Sequence, residues 1–465
     1  MSTHWDLLCL GSGEAAKVLA WHYASTYNKC CAVIERSMLG GSCPNVACLP
    51  SKNLLYSAKA AHLARQGAQF GLAAQKGDVE YGAVKKRKDE MVRELGDLHR
   101  GMFEGSGVEL IWGEGRFVGE KRVEVTDANG ERKVLTADVV VVNTGSRAKI
   151  PDNIPGLVEA KPLTHVELLD LEDLPRHLIV LGGGYVGLEL AQAMKRLGAQ
   201  VTVFERGSRI LKNEDPDIAA VLQNILTEEG IDFKPSTSVT RVQGLSGQEV
   251  TLTLSDNTQL KGTHILCAAG RIPNTQNIGL DLAGIKLKDT GHILVDENNL
   301  TTAPGVYAAG DCAGSPYFTH MGLDDFRIIR DSLTNKPQKN RRSTRQVPSS
   351  LFTDPEIAHV GMREHEANSK GVKYRLAKLP MDMFLRTRTM EKGATRGFAK
   401  VLISAENDTI LGFTVVGPHA GELLPVVQLA IEKGLPYTDV RDLILVHPTI
   451  NEGLGMLFDN VPSSS

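Results

Sequence analysis

Two segments of this chain repeat one pattern: a short apolar strand run, a glycine turn, a helix, a second strand and an acidic residue. The first runs from Asp6-Leu7-Leu8-Cys9-Leu10 through Gly11-Ser12-Gly13-Glu14-Ala15-Ala16 and a helical stretch to Ala32-Val33-Ile34 and Glu35. The second runs from His177-Leu178-Ile179-Val180-Leu181 through Gly182-Gly183-Gly184-Tyr185-Val186-Gly187 and a helix over 188–197 to Val201-Thr202-Val203-Phe204 and Glu205. Each unit is the dinucleotide-binding fingerprint in its required context. The first glycine permits the tight turn, the second lets the backbone approach a pyrophosphate, and the third position must be small for helix and strand to pack. Ala16 fills that third position in the first unit. The helix N-terminus then offers unpaired N–H groups and a partial positive charge to the phosphates. Glu35 and Glu205 stand where a carboxylate accepts hydrogen bonds from a ribose diol. One glycine pattern alone is as easily an ordinary turn, but two complete units predict two Rossmann-like domains and two bound dinucleotides.

A chain of 465 residues exceeds one ordinary core, so about three domains are expected. Lys and Arg total 52 against 55 Asp and Glu, a net charge of -3, which offers no general attraction for nucleic acid or an anionic membrane. The apolar run at 7–10 is ended by Gly11 far too early for a span, and no segment reads as a signal peptide, so a cytoplasmic location is expected. Near residue 335 the character changes. Residues 335–348 are polar and basic, with Lys336, Lys339, Arg341, Arg342 and Arg345. No aromatics interleave with these charges, so the segment reads as a solvated linker rather than a nucleic-acid patch. Beyond it, 399–403 and 410–416 read as paired strands and 422–434 as a helix, an α+β domain without a phosphate loop and hence an interface domain.

Seven cysteines are few for this length, and an odd number argues against a structural disulfide framework. Two of them, Cys43 and Cys48, lie close together in Gly40-Gly41-Ser42-Cys43-Pro44-Asn45-Val46-Ala47-Cys48-Leu49-Pro50-Ser51-Lys52, directly after the first dinucleotide unit. In a regular helix this spacing separates the Cα atoms by about 7.5 Å along the axis. A disulfide needs roughly 4.4 to 6.8 Å, so the helix must be distorted for the bond to close. Pro44 and Pro50 make that distortion plausible. A zinc site would need two further ligands at matching spacing, and the other cysteines are scattered. Two unrelated buried thiols remain the competing reading. Cys9, Cys30, Cys31 and Cys267 lie in or beside apolar strand runs and read as buried small hydrophobes, and Cys312 as packing. No metal site is expected.

The thiol segment resembles the redox motif of the pyridine nucleotide-disulfide oxidoreductases, which include lipoamide dehydrogenase, glutathione reductase and mercuric reductase. The resemblance covers essentially the whole chain. Asn143-Thr144-Gly145-Ser146 resembles the crossing from flavin to nicotinamide domain, and Gly270-Arg271-Ile272-Pro273-Asn274 the return. Tyr307-Ala308-Ala309-Gly310-Asp311 resembles the second flavin motif, Phe352-Thr353-Asp354-Pro355-Glu356 the start of a dimerisation domain, and His447-Pro448-Thr449-Ile450-Asn451-Glu452 its catalytic motif. The resemblance implies a FAD-binding domain at 1–148 and 273–345, an NAD(P)-binding domain at 149–272, and an α+β dimerisation domain at 346–465. FAD would be held by Gly11, Gly13, Ala16, Glu35, Lys52, Thr144, Gly145, Ser146, Gly310 and Asp311. The nicotinamide nucleotide would be held by Gly182, Gly184, Gly187, Glu205 and Gly270. Lys52 and Glu189 would pair beside the flavin ring, Cys48 would be the flavin-facing thiolate, and Cys43 the interchange thiol that meets substrate. His447, oriented by Glu452, would be the acid/base, reaching across from the partner subunit of a homodimer.

Glu205 favours NADH, with NADPH possible because Arg206 and Arg209 are near. Pro44 and Ala47 depart from the commonest family form, so specificity is not carried over with the motif. No cysteine follows Cys312, whereas a mercuric reductase carries a C-terminal pair. The His447/Glu452 dyad suits exchange with a small dithiol or disulfide. A dihydrolipoamide-dehydrogenase-like activity is the first expectation, and a mercuric-reductase-like or other small-disulfide reductase the second. A flavoprotein transhydrogenase or peroxidase would not need both thiols, and a non-catalytic redox sensor would not keep the dyad.

Overall fold

A computed structural model gives the fold and describes residues 4–73, 77–337 and 341–463. The chain divides into two compact units. The first comprises Met1–Ser51, Lys86–Lys149 and Gly270–Arg345, and the second Lys52–Lys85, Ile150–Ala269 and Gln346–Ser465. No helix among the described residues is long and apolar enough to cross a membrane.

In the first unit, β1 (His4–Leu10), β2 (Cys31–Glu35), β3 (Glu109–Trp112), β4 (Glu114–Gly119), β5 (Arg122–Thr126) and β6 (Arg132–Val142) form a sheet in the order β3-β2-β1-β6-β5-β4. The strands β3, β2, β1 and β6 run parallel, and Val306–Ala308 adds a further parallel strand beside β6. The hairpin of β4 and β5 continues antiparallel from β6. Every residue of β2 is buried, the signature of a parallel strand covered on both faces. Helix α1 (Glu14–Tyr27) connects β1 to β2 and buries Ala15, Ala16, Leu19 and Ala20, the three alanines letting it approach the sheet closely. Asn28 in the left-handed conformation ends it, its N–H bonding back to the Tyr23 carbonyl. The chain continues through the short α2 (Ser42–Val46), α3 (Cys48–Arg65) and the long α4 (Tyr81–Ser106).

The three chain segments of this unit are tied by buried polar contacts. Asn143, at the end of β6, accepts from the Ala16 N–H at 3.2 Å and donates to the Ala309 carbonyl at 2.7 Å. The expected solvated linker is corrected here. Arg345 is almost wholly buried and pairs with Asp324 at 3.1 Å and Asp325 at 2.7 Å, and Arg342 reaches the same Asp325 at 3.4 Å. Asp325 is fully buried and accepts from the Gly310 N–H at 2.7 Å and the Ser315 hydroxyl at 2.6 Å. A buried carboxylate must be paired, and the basic segment supplies its partners. Arg341 and Lys336 are exposed, and Lys339 lies outside the described residues.

In the second unit, His177–Leu181 lies between Gln200–Phe204 and His264–Cys267 in a parallel sheet that Asp232–Lys234 extends. All of His177–Leu181 is buried, as its uninterrupted apolar run requires. The C-terminal part holds an antiparallel sheet ordered Ser349–Leu351, Glu356–Gly361, Ile410–Gly417, Phe398–Ser404, Tyr374–Pro380, with the helix Ala420–Lys433 packed on it. The expected pair of strands and following helix are present. Lys400, fully buried in this sheet, is held by Asp215 at 2.8 Å, Asp217 at 2.8 Å and Glu364 at 3.0 Å.

Candidate active site

The strand-to-helix turn after β1 is shaped by Gly11, whose φ of 94° and crowded surroundings exclude any side chain: a Cβ there would lie 2.6 Å from the Asn143 carbonyl oxygen. Gly13 caps α1 with no side-chain acceptor, and of the N–H groups in the first turn that of Ala16 is taken by Asn143 at 3.2 Å. Glu35 is buried and busy. Its Oε2 accepts from the Ser12 N–H and hydroxyl at 3.0 and 2.6 Å, and its Oε1 from the N–H groups of Ser37 and Met38 at 2.9 and 3.2 Å. It shapes the turn as much as it could bind a ribose.

The crossing motifs meet in this unit. Ser146–Ala148 pairs antiparallel with Arg271–Pro273, and Thr144 and Asn274 exchange hydrogen bonds at 2.7 and 2.9 Å. The Ser146 hydroxyl donates to Asp311 and accepts from Arg271 Nε at 2.8 Å. Burial raises the Asp311 carboxyl, opposed by the Ser146 hydrogen bond and the Arg271 charge. Gly145 and Gly310 occupy left-handed turns there. Gly270 falls in this unit with the crossing strands, not in the unit that carries 182–187.

The expected helix distortion is present at Ala47, whose φ and ψ of -132° and -101° break the chain between α2 and α3. Cys43 lies on α2 and Cys48 begins α3. Both are free thiols, part-exposed and hydrogen-bonded to each other. That hydrogen bond raises Cys43 most, with burial and the neighbouring Cys48 adding to it. Thr319, the first residue of the helix Thr319–Leu333, places its hydroxyl 3.3 Å from Cys48 Sγ and also lowers Cys43 by hydrogen bonding. Sequence reasoning missed Thr319, and nothing in its neighbourhood marks it out. Among the other cysteines, Cys9, Cys31, Cys267 and Cys312 are buried as expected, but Cys30 is exposed. It sits in the turn before β2, where its N–H donates to Asp6 at 2.8 Å and its side chain points outward.

In the second unit Lys52 Nζ lies 2.7 Å from Glu189 Oε2, while Glu189 Oε1 accepts from the Phe352 N–H at 2.9 Å. The Lys52 ammonium also sits 4.6 Å from the Phe352 ring centroid. The second glycine cradle is tighter than the first: a Cβ at Gly187 would lie 2.2 Å from the Gly182 carbonyl oxygen. A Cβ at Gly184, the uncapped start of the helix Tyr185–Leu197, would meet nothing within 4 Å, so the approach to those N–H groups is open. Glu205 accepts from the Gly183 and Gly207 N–H groups at 2.9 and 2.8 Å and keeps part of its carboxylate free. Arg209 is turned away into its own loop, donating to the carbonyls of Leu211, Lys212 and Glu214. His447 Nδ1 lies 2.8 Å from Glu452 Oε2, and the imidazole is 68% exposed against 16% for the carboxylate.

Two uncapped nucleotide cradles and a hydrogen-bonded thiol pair on one chain define a nucleotide-dependent dithiol oxidoreductase. Residues 5–326 match the family model described as pyridine nucleotide-disulphide oxidoreductase, and 347–457 match that family's dimerisation domain. The chain is 34% identical to the mercuric reductase of Bacillus cereus over 97% of its own length and 70% of the relative's. It is 35% identical to the dihydrolipoyl dehydrogenase of Thermus scotoductus over 97% and 96%. Among solved structures, the copper(II) complex of the flavoprotein disulfide reductase RclA from Escherichia coli superposes with a TM-score of 0.90, at 31% identity and 99% of both chains. The chain belongs to the pyridine nucleotide-disulphide oxidoreductases, FAD-dependent enzymes that use NAD(P)H and carry a C-terminal dimerisation domain. Both cradles fit these cofactors, since each sets a glycine turn and an open helix N-terminus where a pyrophosphate docks.

Proposed function

We propose that the enzyme oxidises a small dithiol such as dihydrolipoamide, or reduces the matching disulfide, with NAD(H) as the nucleotide partner. The observation that carries this reading is the Cys43–Cys48 pair, joined by a hydrogen bond across a broken helix and served by the Thr319 hydroxyl. FAD, when bound, supplies two-electron traffic between the nucleotide and this pair. Gly11, Gly13, Ala16, Glu35, Thr144, Gly145, Ser146, Gly310 and Asp311 would hold it, and Gly182, Gly184, Gly187 and Glu205 would hold the nucleotide. Gly270 shapes the return crossing.

Cys43 attacks or is attacked by the substrate sulfur, and Cys48 is the thiolate that Thr319 supports. Lys52, fixed by Glu189, would supply a positive charge to the flavin ring. His447 moves the proton at Nε2, because Nδ1 donates to Glu452 and fixes the tautomer. The exposure of His447, of Val446 at 75% and of Ile444 at 102% supports a homodimer in which this edge serves the partner's thiols. Glu205, with Arg209 committed elsewhere, supports NADH over NADPH. A cytoplasmic location suits a thiol pair that must cycle through its reduced form.

The test is dihydrolipoamide-dependent NADH formation by wild type and by Cys43→Ser. Turnover in wild type alone supports the reading, and turnover that survives the substitution removes it. A metal-ion reductase is the second reading, favoured by the relatedness to a mercuric reductase and to RclA, whose structure was solved as a copper(II) complex. Mercuric- or cupric-ion-dependent NADH oxidation without dihydrolipoamide turnover would select it.

A further inference from the structure

Lys17 sits in the interior of α1 and is 5% exposed, although nothing in the nucleotide fingerprint asks for a charge there. Lysine is almost never buried so deeply unless its ammonium is paired. Here the pairing is complete. Its Nζ lies 2.9 Å from Glu14 Oε2, 2.9 Å from His99 Nε2 and 3.5 Å from the Gly40 carbonyl oxygen. His99, on α4, has Nδ1 2.7 Å from the Leu95 carbonyl, so Nδ1 carries the proton and Nε2 turns its lone pair to the lysine. Three donors meet three acceptors, drawn from α1, α4 and the turn that leads into α2.

That turn is tightly seated. The Gly40 N–H donates to the Ser12 hydroxyl at 2.9 Å, and the Gly41 N–H to the Met38 carbonyl at 3.0 Å. A Cβ on Gly40 would touch the His99 ring at 3.0 Å, and one on Gly41 would touch Gly13 Cα at 3.1 Å. Two residues beyond Gly41 stands Cys43. Cys48 at the start of α3 and the Thr319 hydroxyl hydrogen-bond with its thiol, and the negative charge of Glu14, in the first turn of α1, works against ionisation of Cys43. Around Lys17 the facing groups are Glu14, His99 and the Trp21 ring, whose centroid is 6.0 Å away.

We propose that Lys17 is a positioning residue for thiol–disulfide exchange: its buried ammonium fixes the turn that presents Cys43 and neutralises Glu14, to which it is paired. The inference rests on reading Cys43 as the thiol that meets substrate. With Lys17 in place, Glu14 belongs to an ion pair. Without Lys17, the Glu14 carboxylate loses that partner and its charge opposes ionisation of Cys43 uncompensated.

The test follows the reactivity of Cys43 itself. The flavin-loaded enzyme is reduced with dithiothreitol, treated with iodoacetamide across a pH series, and the carboxamidomethylated Cys43 peptide is quantified. The thiolate displaces iodide, so the rate reports the ionised fraction. Lys17→Met is expected to react about fivefold to tenfold more slowly at neutral pH, with its profile displaced to higher pH. Glu14→Gln is expected to move the profile the other way, Lys17→Met with Glu14→Gln to return it near wild type, and Lys17→Arg to keep it. A purely structural lysine predicts single-mutant profiles that superimpose on wild type, and that result overturns the proposal. If Lys17→Met does not fold, Glu14→Gln decides alone, and an unmoved profile overturns it equally. The assay needs no disulfide substrate, so an enzyme that ignores dihydrolipoamide would sink the functional reading above and leave this test standing.

Discussion

His447 and Glu452 form an isolated dyad at the exposed edge of the dimerisation domain, Nδ1 to Oε2 at 2.8 Å, with the carboxylate four times better shielded than the imidazole, 16% against 68% exposed. The carboxylate fixes the ring, and the free nitrogen is left for chemistry. His447→Ala is therefore expected to slow dithiol oxidation by about a hundredfold or more. Reduction of the flavin by NADH alone should be nearly unchanged. Stopped-flow absorbance separates the two steps, and a mutant with unaltered turnover would remove His447 from the mechanism.

Lys52 is held on two sides, by the Glu189 carboxylate at 2.7 Å and by the face of Phe352 at 4.6 Å. Lys52→Met is expected to slow bleaching of the flavin by NADH by roughly a hundredfold, the scale of losing one preorganised charge. Glu189→Gln should cost less, because an amide oxygen can still accept from the Phe352 N–H. Equal rates in Lys52→Met and wild type would show that the charge does not act on the nucleotide step.

In the proposed nucleotide site the Glu205 carboxylate would meet a 2′-phosphate as like charge, and Arg209 is spent on three carbonyls of its own loop. Glu205→Ala is expected to improve the efficiency with NADPH relative to NADH by about tenfold to a hundredfold. The ratio of kcat/KM values for the two nucleotides is the measurement, and a ratio that stays put assigns the discrimination elsewhere.

His359 is buried in the sheet of the dimerisation domain, Nδ1 at 2.8 Å from the Thr414 hydroxyl and Nε2 at 3.0 Å from the Gly361 carbonyl. Burial, helped by the Arg363 charge, pushes it down to about 4. The unfolded chain binds this proton near pH 6.5. Between these values the unfolded state holds the extra proton, so stability is present above about pH 6.5 and lost as the pH falls toward 4. The expected loss from this group is about 2 kcal/mol between pH 7 and 5. Urea unfolding at both values should show the decline in wild type and a shallower one in His359→Gln.

The elements that were legible in the sequence are those built from neighbours along the chain. His177–Leu181, the helix after it and Glu205 fall where an unbroken apolar run and a glycine turn put them, because strand, turn and helix are decided within about thirty residues. The break at Ala47 was likewise implied by what a disulfide demands of a helix. What escaped depends on partners far away in sequence. Thr319 meets Cys48 across 271 positions. Arg342 and Arg345 look like solvated charges until the buried Asp325 is known to need them. Lys17 and Cys30 are a buried cation and an exposed thiol, each against its type, and only tertiary surroundings decide such cases.

The first unit is stitched from three separated stretches, with Asn143 bonding Ala16 and Ala309 and with Arg345 neutralising the acid that braces Gly310. This has a consequence during synthesis. β1, β2 and β6 leave the ribosome as an incomplete sheet whose edge beside β6 waits for Val306–Ala308. At about 5–20 residues per second, the two hundred or so residues from the end of β6 to Arg345 take roughly 10–40 s to appear. The nucleotide-binding stretch in between is finished first. The amino-terminal stretch thus emerges first, closes only once Arg345 has appeared, and spends the interval as a client for whatever shields an open sheet edge in the cell.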